Sequence, residues 1–75
     1  MPTAYLLINS EEYSPKLMKA LRGIKGVEEA YPVYGVYDII ARTRAGTMDK
    51  LKEIHDEIRR LEKVRSTLTM ITHEG

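Results

Sequence analysis

Val33-Tyr34-Gly35-Val36-Tyr37-Asp38-Ile39-Ile40-Ala41-Arg42 reads as the end of one β-strand, a turn at the glycine, and a second strand that opens with a carboxylate. Two strands joined directly, with no helix between them, are what the rest of the chain must be fitted around. The residues before this stretch give a strand and a helix. Thr3 to Asn9 is β-prone and apolar at both parities, since Ala4, Leu6 and Ile8 alternate with Tyr5 and Leu7, so the strand is expected to be covered on both faces. Ser14 followed by Pro15 is an N-cap with proline at the first helical position. Tyr13, Leu17, Ala20, Leu21 and Ile24 then recur at helical spacing until Gly23 and Gly26 end the element.

Val27 to Tyr34 is the first strand of the pair, and Glu28, Glu29 and Pro32 assign it to an edge, because proline cannot donate to an inner ladder. Tyr37 to Arg44 is the second. Its Tyr37, Ile39, Ala41 and Thr43 share one face, with Asp38, Ile40, Arg42 and Arg44 on the other. Thr47 caps a second helix, with Leu51, Ile54, His55, Ile58 and Leu61 on one stripe and Arg59, Arg60 and Lys63 at the C-terminal end, where the macrodipole favours cations. Arg65 to His73 is a threonine-rich last strand, expected at the other edge. The order βαββαβ predicts an α+β, ferredoxin-like sandwich: a four-stranded antiparallel sheet with two helices on one face, the first and third strands central. The uncovered face keeps Tyr, Leu and Ile side chains and is a predicted contact surface.

Size supports that expectation. The chain has 75 residues, 43% of them hydrophobic, and no cysteine. It is read as one domain, with no disulfide or thiolate chemistry. Ordering each residue costs about 1.5 kcal/mol, and a core this small offsets that narrowly, so self-association is expected. No apolar run approaches a membrane span, and the MPTAY start lacks a signal-peptide pattern, which predicts a cytoplasmic protein with no membrane partner. Twelve basic against eleven acidic residues give a formal charge of +1, which is no footprint for nucleic acid.

Enzymatic readings find no support among the side chains. Acylphosphatases share the topology but use an arginine near the first strand's loop, which here reads NSEEYSP and is acidic. No Ser/His/Asp or Cys/His constellation is available. His55 lies on an apolar stripe, where a packing role is the simpler reading, and no metal-ligand spacing occurs, so neither catalytic residues nor a metal or cofactor are expected. RNA-binding sheets of this topology carry an aromatic signature on the third strand, whereas this one is YDIIARTR. The basic cluster Arg59, Arg60, Lys63 and Arg65 is interleaved with Asp56, Glu57 and Glu62, as on a solvated helix end.

The turn itself is the candidate site. Gly35 can take positive φ, leaving the N–H groups of Val36 and Tyr37 free to face an anion, while Asp38 can meet an ammonium. N–H donors beside a carboxylate suit a zwitterion, meaning a free amino acid. The alternative is that Gly35 makes a hairpin turn and Asp38 satisfies local backbone donors.

Tyr34-Gly35-Val36-Tyr37-Asp38 leading into IIARTR, the helix start Thr47-Met48-Asp49-Lys50-Leu51, the run Val64-Arg65-Ser66-Thr67-Leu68-Thr69-Met70-Ile71 and the earlier Gly26-Val27 together resemble the effector domain, or RAM domain, of the Lrp/AsnC family of feast/famine transcription regulators. ACT-type domains share the topology and also bind amino acids, but Tyr-Gly-Val-Tyr-Asp and Thr-x-Thr favour the first family. The resemblance implies dimers formed through the sheets, assembly of dimers into rings, and small effectors bound between dimers near the glycine turn. It maps the ligand-binding positions onto Gly35, Val36, Tyr37 and Asp38, with Thr67 and Thr69 from the last strand. Family regulators carry a helix-turn-helix that is missing here, so the expectation is a stand-alone, non-enzymatic amino-acid or metabolite sensor over residues 1–75. It would not bind DNA itself and would modulate transcription through a partner, such as a full-length DNA-binding relative. The alternative is an assembly subunit with a vestigial pocket, forming mixed oligomers with that relative.

Overall fold

A computed structural model describes residues 2–11 and 14–72. The elements are β1 (Thr3–Ser10), α1 (Pro15–Gly23), β2 (Val27–Pro32), β3 (Ile39–Arg44), α2 (Met48–Arg59) and β4 (Val64–Ile71). The strands form one sheet in the order β2-β3-β1-β4 with every neighbouring pair antiparallel, so the two strands with the most apolar inner faces lie in the centre. This is the ferredoxin-like arrangement expected from the element order.

Strand alternation sends Ala4, Leu6 and Ile8 of β1 and Ile39 and Ala41 of β3 to the helix side, where all are buried. Leu17, Met18 and Leu21 of α1 and Leu51 and Ile58 of α2 close the core above them. Each such side chain contributes about 1.5–3 kcal/mol by leaving water. The helices start where their caps dictate. Ser14 Oγ accepts the N–H of Leu17 at 3.3 Å, and Thr47 Oγ1 accepts that of Lys50 at 3.1 Å.

Gly26, between α1 and β2, has φ +102°, and its carbonyl accepts the N–H of Arg44 at 2.8 Å. Ile54 of α2 lies directly over its α-carbon, in the space a Cβ would need. At the start of β2 the register slips between Val27 and Glu29, so that Glu28 and Glu29 share Arg42 as their cross-strand neighbour. This β-bulge, with Pro32 at the strand's end, makes β2 a poor template for further pairing, as its edge position requires.

Several expectations shift. β2 stops at Pro32 and β3 starts at Ile39, because the hairpin is closed by Val33 N–H donating to the Asp38 carbonyl at 2.8 Å, which leaves residues 34–37 outside the ladder. β4 runs Val64–Ile71, beginning one residue early, and His73 and Tyr13 lie outside the described residues. Ala20 is exposed and Met18 is buried in its place, since the buried face of α1 is centred on Leu17 and Leu21 with Met18 on its inner flank. α2 ends at Arg59, so Leu61 packs partly buried from the following turn.

Candidate functional site

The turn at Gly35 is built on three backbone constraints. Gly35 takes φ +127°, a conformation that side chains rarely adopt, and nothing crowds its α-carbon. Val33 bonds to Asp38 across the hairpin, and the N–H of Asp38 donates to the Ile8 carbonyl at 2.9 Å, which fixes the turn to the end of β1. Tyr34 and Val36 project into solvent. Among the described residues the N–H groups of Val36 and Tyr37 make no hydrogen bond and remain available as donors.

The Asp38 carboxylate does not bond to its own turn. Its Oδ2 accepts the backbone N–H of Ser10 at 3.0 Å and the Ser10 hydroxyl at 3.5 Å. Both bonds use one oxygen, so Oδ1 keeps its acceptor capacity. Beside it, Pro32, Val33, Tyr34 and Asp38 line an open cleft of about 490 Å³. The bracing reading and the binding reading of Asp38 are therefore compatible, one for each oxygen. Ser10, Pro32, Val33 and Tyr34 adjoin the site without having been read from the sequence as ligand positions. Alignment of the apolar runs of β1 and β3, which pairs Ile8 with Ile39, is the signal that leads to Ser10.

Thr67 and Thr69 are not brought to this cleft within one protomer. They pair with Ile8 and Leu6, so their side chains lie on the helix side of β4, and β1 separates β4 from β3. Thr67 Oγ1 accepts Arg59 Nε at 3.1 Å, and Arg59 also reaches Asp56 Oδ1 at 3.3 Å. The Thr69 hydroxyl is shielded and has no hydrogen-bond partner among the described residues.

His55 is buried on α2, and its Nε2 lies 2.9 Å from Thr43 Oγ1, whose own proton goes to the Ala4 carbonyl at 3.2 Å. Nε2 must then carry the hydrogen, which fixes the neutral tautomer. Burial, assisted by the Arg59 charge and opposed by Asp56, holds its pKa below the ordinary histidine value. This is a packing histidine, as read from the sequence.

A second open cleft, of about 700 Å³, is lined by Lys25, Arg44, Lys50, Glu53 and Glu57 together with Gly26 and Ile54. Its lining carries charges of both signs, and Arg44 is already engaged by Glu28 at 3.8 Å. Among the described residues no three metal-ligating side chains cluster and no helix is long and apolar enough to cross a membrane.

Residues 3–74 match the family described as Lrp/AsnC ligand binding domain. The chain is similar to the structure of FFRP-DM1, with 34% identity, a TM-score of 0.86 and 96% and 99% of the two chains covered. It is also similar to a feast or famine regulatory protein from M. tuberculosis, Rv3291c, solved in complex with L-methionine. There the identity is 22% and the TM-score 0.83, over all of this chain and 52% of the other. Among curated proteins it is 35% identical over 63 residues to homocitrate synthase of Saccharolobus solfataricus, which is 84% of this chain and only 14% of that protein.

Proposed function

Because the chain belongs to the family of Lrp/AsnC ligand binding domains, we propose that it is a non-enzymatic effector module that binds an amino acid or related metabolite at the Gly35 turn and works as an oligomer. The observation that carries the reading is that one turn holds two N–H donors with no partner among the described residues, on Val36 and Tyr37, and the Asp38 carboxylate, which lines an open cleft and engages Ser10 through Oδ2 alone. The donors suit a carboxylate and Oδ1 suits an ammonium. The cleft is open, and a neighbouring protomer would close it. Thr67 and Thr69 belong to the site only as contributions from such a neighbour. The whole acts in the cytoplasm and modulates transcription through a partner, including mixed assembly with a DNA-binding relative.

A second reading has its own support. The homocitrate synthase match is confined to a small share of that protein, so a domain of this kind also occurs as part of a much larger chain bearing an enzyme's name. The module would then act on an enzyme, with the same ligand chemistry.

Thermal melts of the purified protein against each of the twenty amino acids, read together with assembly mass, test the proposal. A ligand at 100 times its dissociation constant should add about 2.7 kcal/mol of stability. If no amino acid shifts the melt or the assembly, the amino-acid reading is wrong.

A further inference from the structure

Turns are ordinarily built from glycine, proline, asparagine, aspartate and serine, which preset the backbone or bond to it. This one reads Val33-Tyr34-Gly35-Val36-Tyr37, and only Gly35, at φ +127°, answers a backbone need. Val33 is 38% exposed, Val36 is 83% exposed and Tyr34 is fully exposed, so these side chains add little to the core. Pro32, Val33 and Tyr34 instead line the cleft at Asp38. Folding does not account for apolar groups at these positions.

We propose that the ligand of this turn is an amino acid with an uncharged, apolar side chain, its α-ammonium on Asp38 and its side chain against Pro32, Val33 and Tyr34. The inference rests on the amino-acid reading above and names the class of ligand within it.

Charge makes the choice. Among the described residues Asp38 is the one charged group in the lining. Its Oδ2 is committed to Ser10, so it serves a single ammonium, which the α-amino group of any amino acid supplies. A second ammonium, as in lysine, would lie on proline and valine with no anion of its own. An acidic side chain would bring a carboxylate towards Asp38 with no cation between them. Removing an unpaired charge from water and bringing like charges together both weaken binding. The basic groups that reach β2 do not alter this. Arg22 is committed to the Ala30 carbonyl at 2.8 and 3.2 Å, and Arg42 is engaged by Glu28 and Glu29. Thr67 and Thr69, the positions assigned to a neighbouring protomer, are uncharged and add no counter-charge. An apolar side chain meets the opposite situation, because its contact with Pro32, Val33 and Tyr34 takes apolar surface of both partners out of water.

Calorimetric titration of the whole chain with ligands matched in size decides the matter: leucine against its near-isosteres asparagine and aspartate, and norleucine against lysine. The apolar member of each set should bind at least about tenfold more tightly. If asparagine, aspartate or lysine binds as tightly as its apolar counterpart, the inference is overturned and the amino-acid reading stands, whereas no binding by any amino acid overturns both. The exposure of Tyr34 allows the preference to be shifted without touching the core. Tyr34→Arg supplies the missing cation and should narrow the gap between leucine and aspartate by at least about fivefold, with circular dichroism as the check on folding. An unchanged ratio of the two affinities in that variant takes Tyr34 out of the side-chain site and overturns the inference, and a changed assembly mass in its place assigns Tyr34 to contacts between protomers.

Discussion

The carboxylate of Asp38 accepts the backbone N–H of Ser10 at 3.0 Å, so the side chain that supplies negative charge to the candidate site also ties β3 to the end of β1. Replacing it therefore tests two things at once, and the choice of replacement separates them. Asp38→Asn keeps a carbonyl oxygen for Ser10 and loses the charge. The free protein should stay within about 0.5 kcal/mol of wild type, while affinity for an amino acid falls by roughly 2 kcal/mol or more. Asp38→Ala should show the same loss of affinity and, in addition, about 1 kcal/mol of lost stability. Calorimetric titration beside urea melts resolves the two, and unchanged affinity in Asp38→Asn for a confirmed ligand removes Asp38 from the site.

At Gly26 the conflict is steric as well as conformational. With φ +102°, an added Cβ would run into the end of Ile54 and lie 3.3 Å from the Arg44 carbonyl. Gly26→Ala should cost about 2–4 kcal/mol from backbone strain and overpacking together. Pairing it with Ile54→Ala should recover the overpacking part, which a double-mutant cycle in denaturant would read as coupling of the two sites.

His55 makes stability depend on pH in one direction. Its folded pKa is depressed, chiefly by burial, so as pH falls below the ordinary value of 6.5 the unfolded chain takes up a proton that the folded one refuses. This contribution is fully present above that value, shrinks as pH drops towards the folded pKa, and is constant below it. His55→Gln should flatten the stability profile on the acid side of neutrality, seen in urea melts at a series of pH values. An unchanged slope would mean that His55 protonates in the folded state as easily as in the unfolded.

Thr69 holds a shielded hydroxyl without a partner among the described residues. Thr69→Val, nearly identical in shape, should leave the free protein as stable as wild type or more stable by about 1 kcal/mol. A loss of stability would show that the hydroxyl is satisfied in solution, and a selective loss of ligand affinity would assign it to the site.

Much of the architecture was legible because its signals are local. Ser14-Pro15 and Thr47 mark the helix starts, and the double-sided apolar β1 marks a central strand. What was not legible depends on register between distant segments. The Ser10 to Asp38 bond joins residues 28 positions apart and follows only once Ile8 is paired with Ile39. In β4, alternation of Leu68 and Met70 with Thr67 and Thr69 suggests that the leucine and methionine face the core, but they lie on the uncovered face and the threonines lie beneath α2. Periodicity finds the two faces of a strand. It does not say which one meets the helices when the other is itself apolar.

The central position of β1 also sets the order in which the molecule can assemble. Its first strand pairs on one side with β3 and on the other with β4, the last element, and Thr72 closes back onto Thr3 through both its N–H at 3.0 Å and its hydroxyl at 3.1 Å. During synthesis the sheet cannot be completed until the C-terminal strand leaves the ribosome, and until then β1 presents a bare apolar edge. Such long-range closure slows folding and exposes the nascent chain to wrong pairing. Truncation before Leu68 should therefore yield an aggregating chain rather than a smaller folded one.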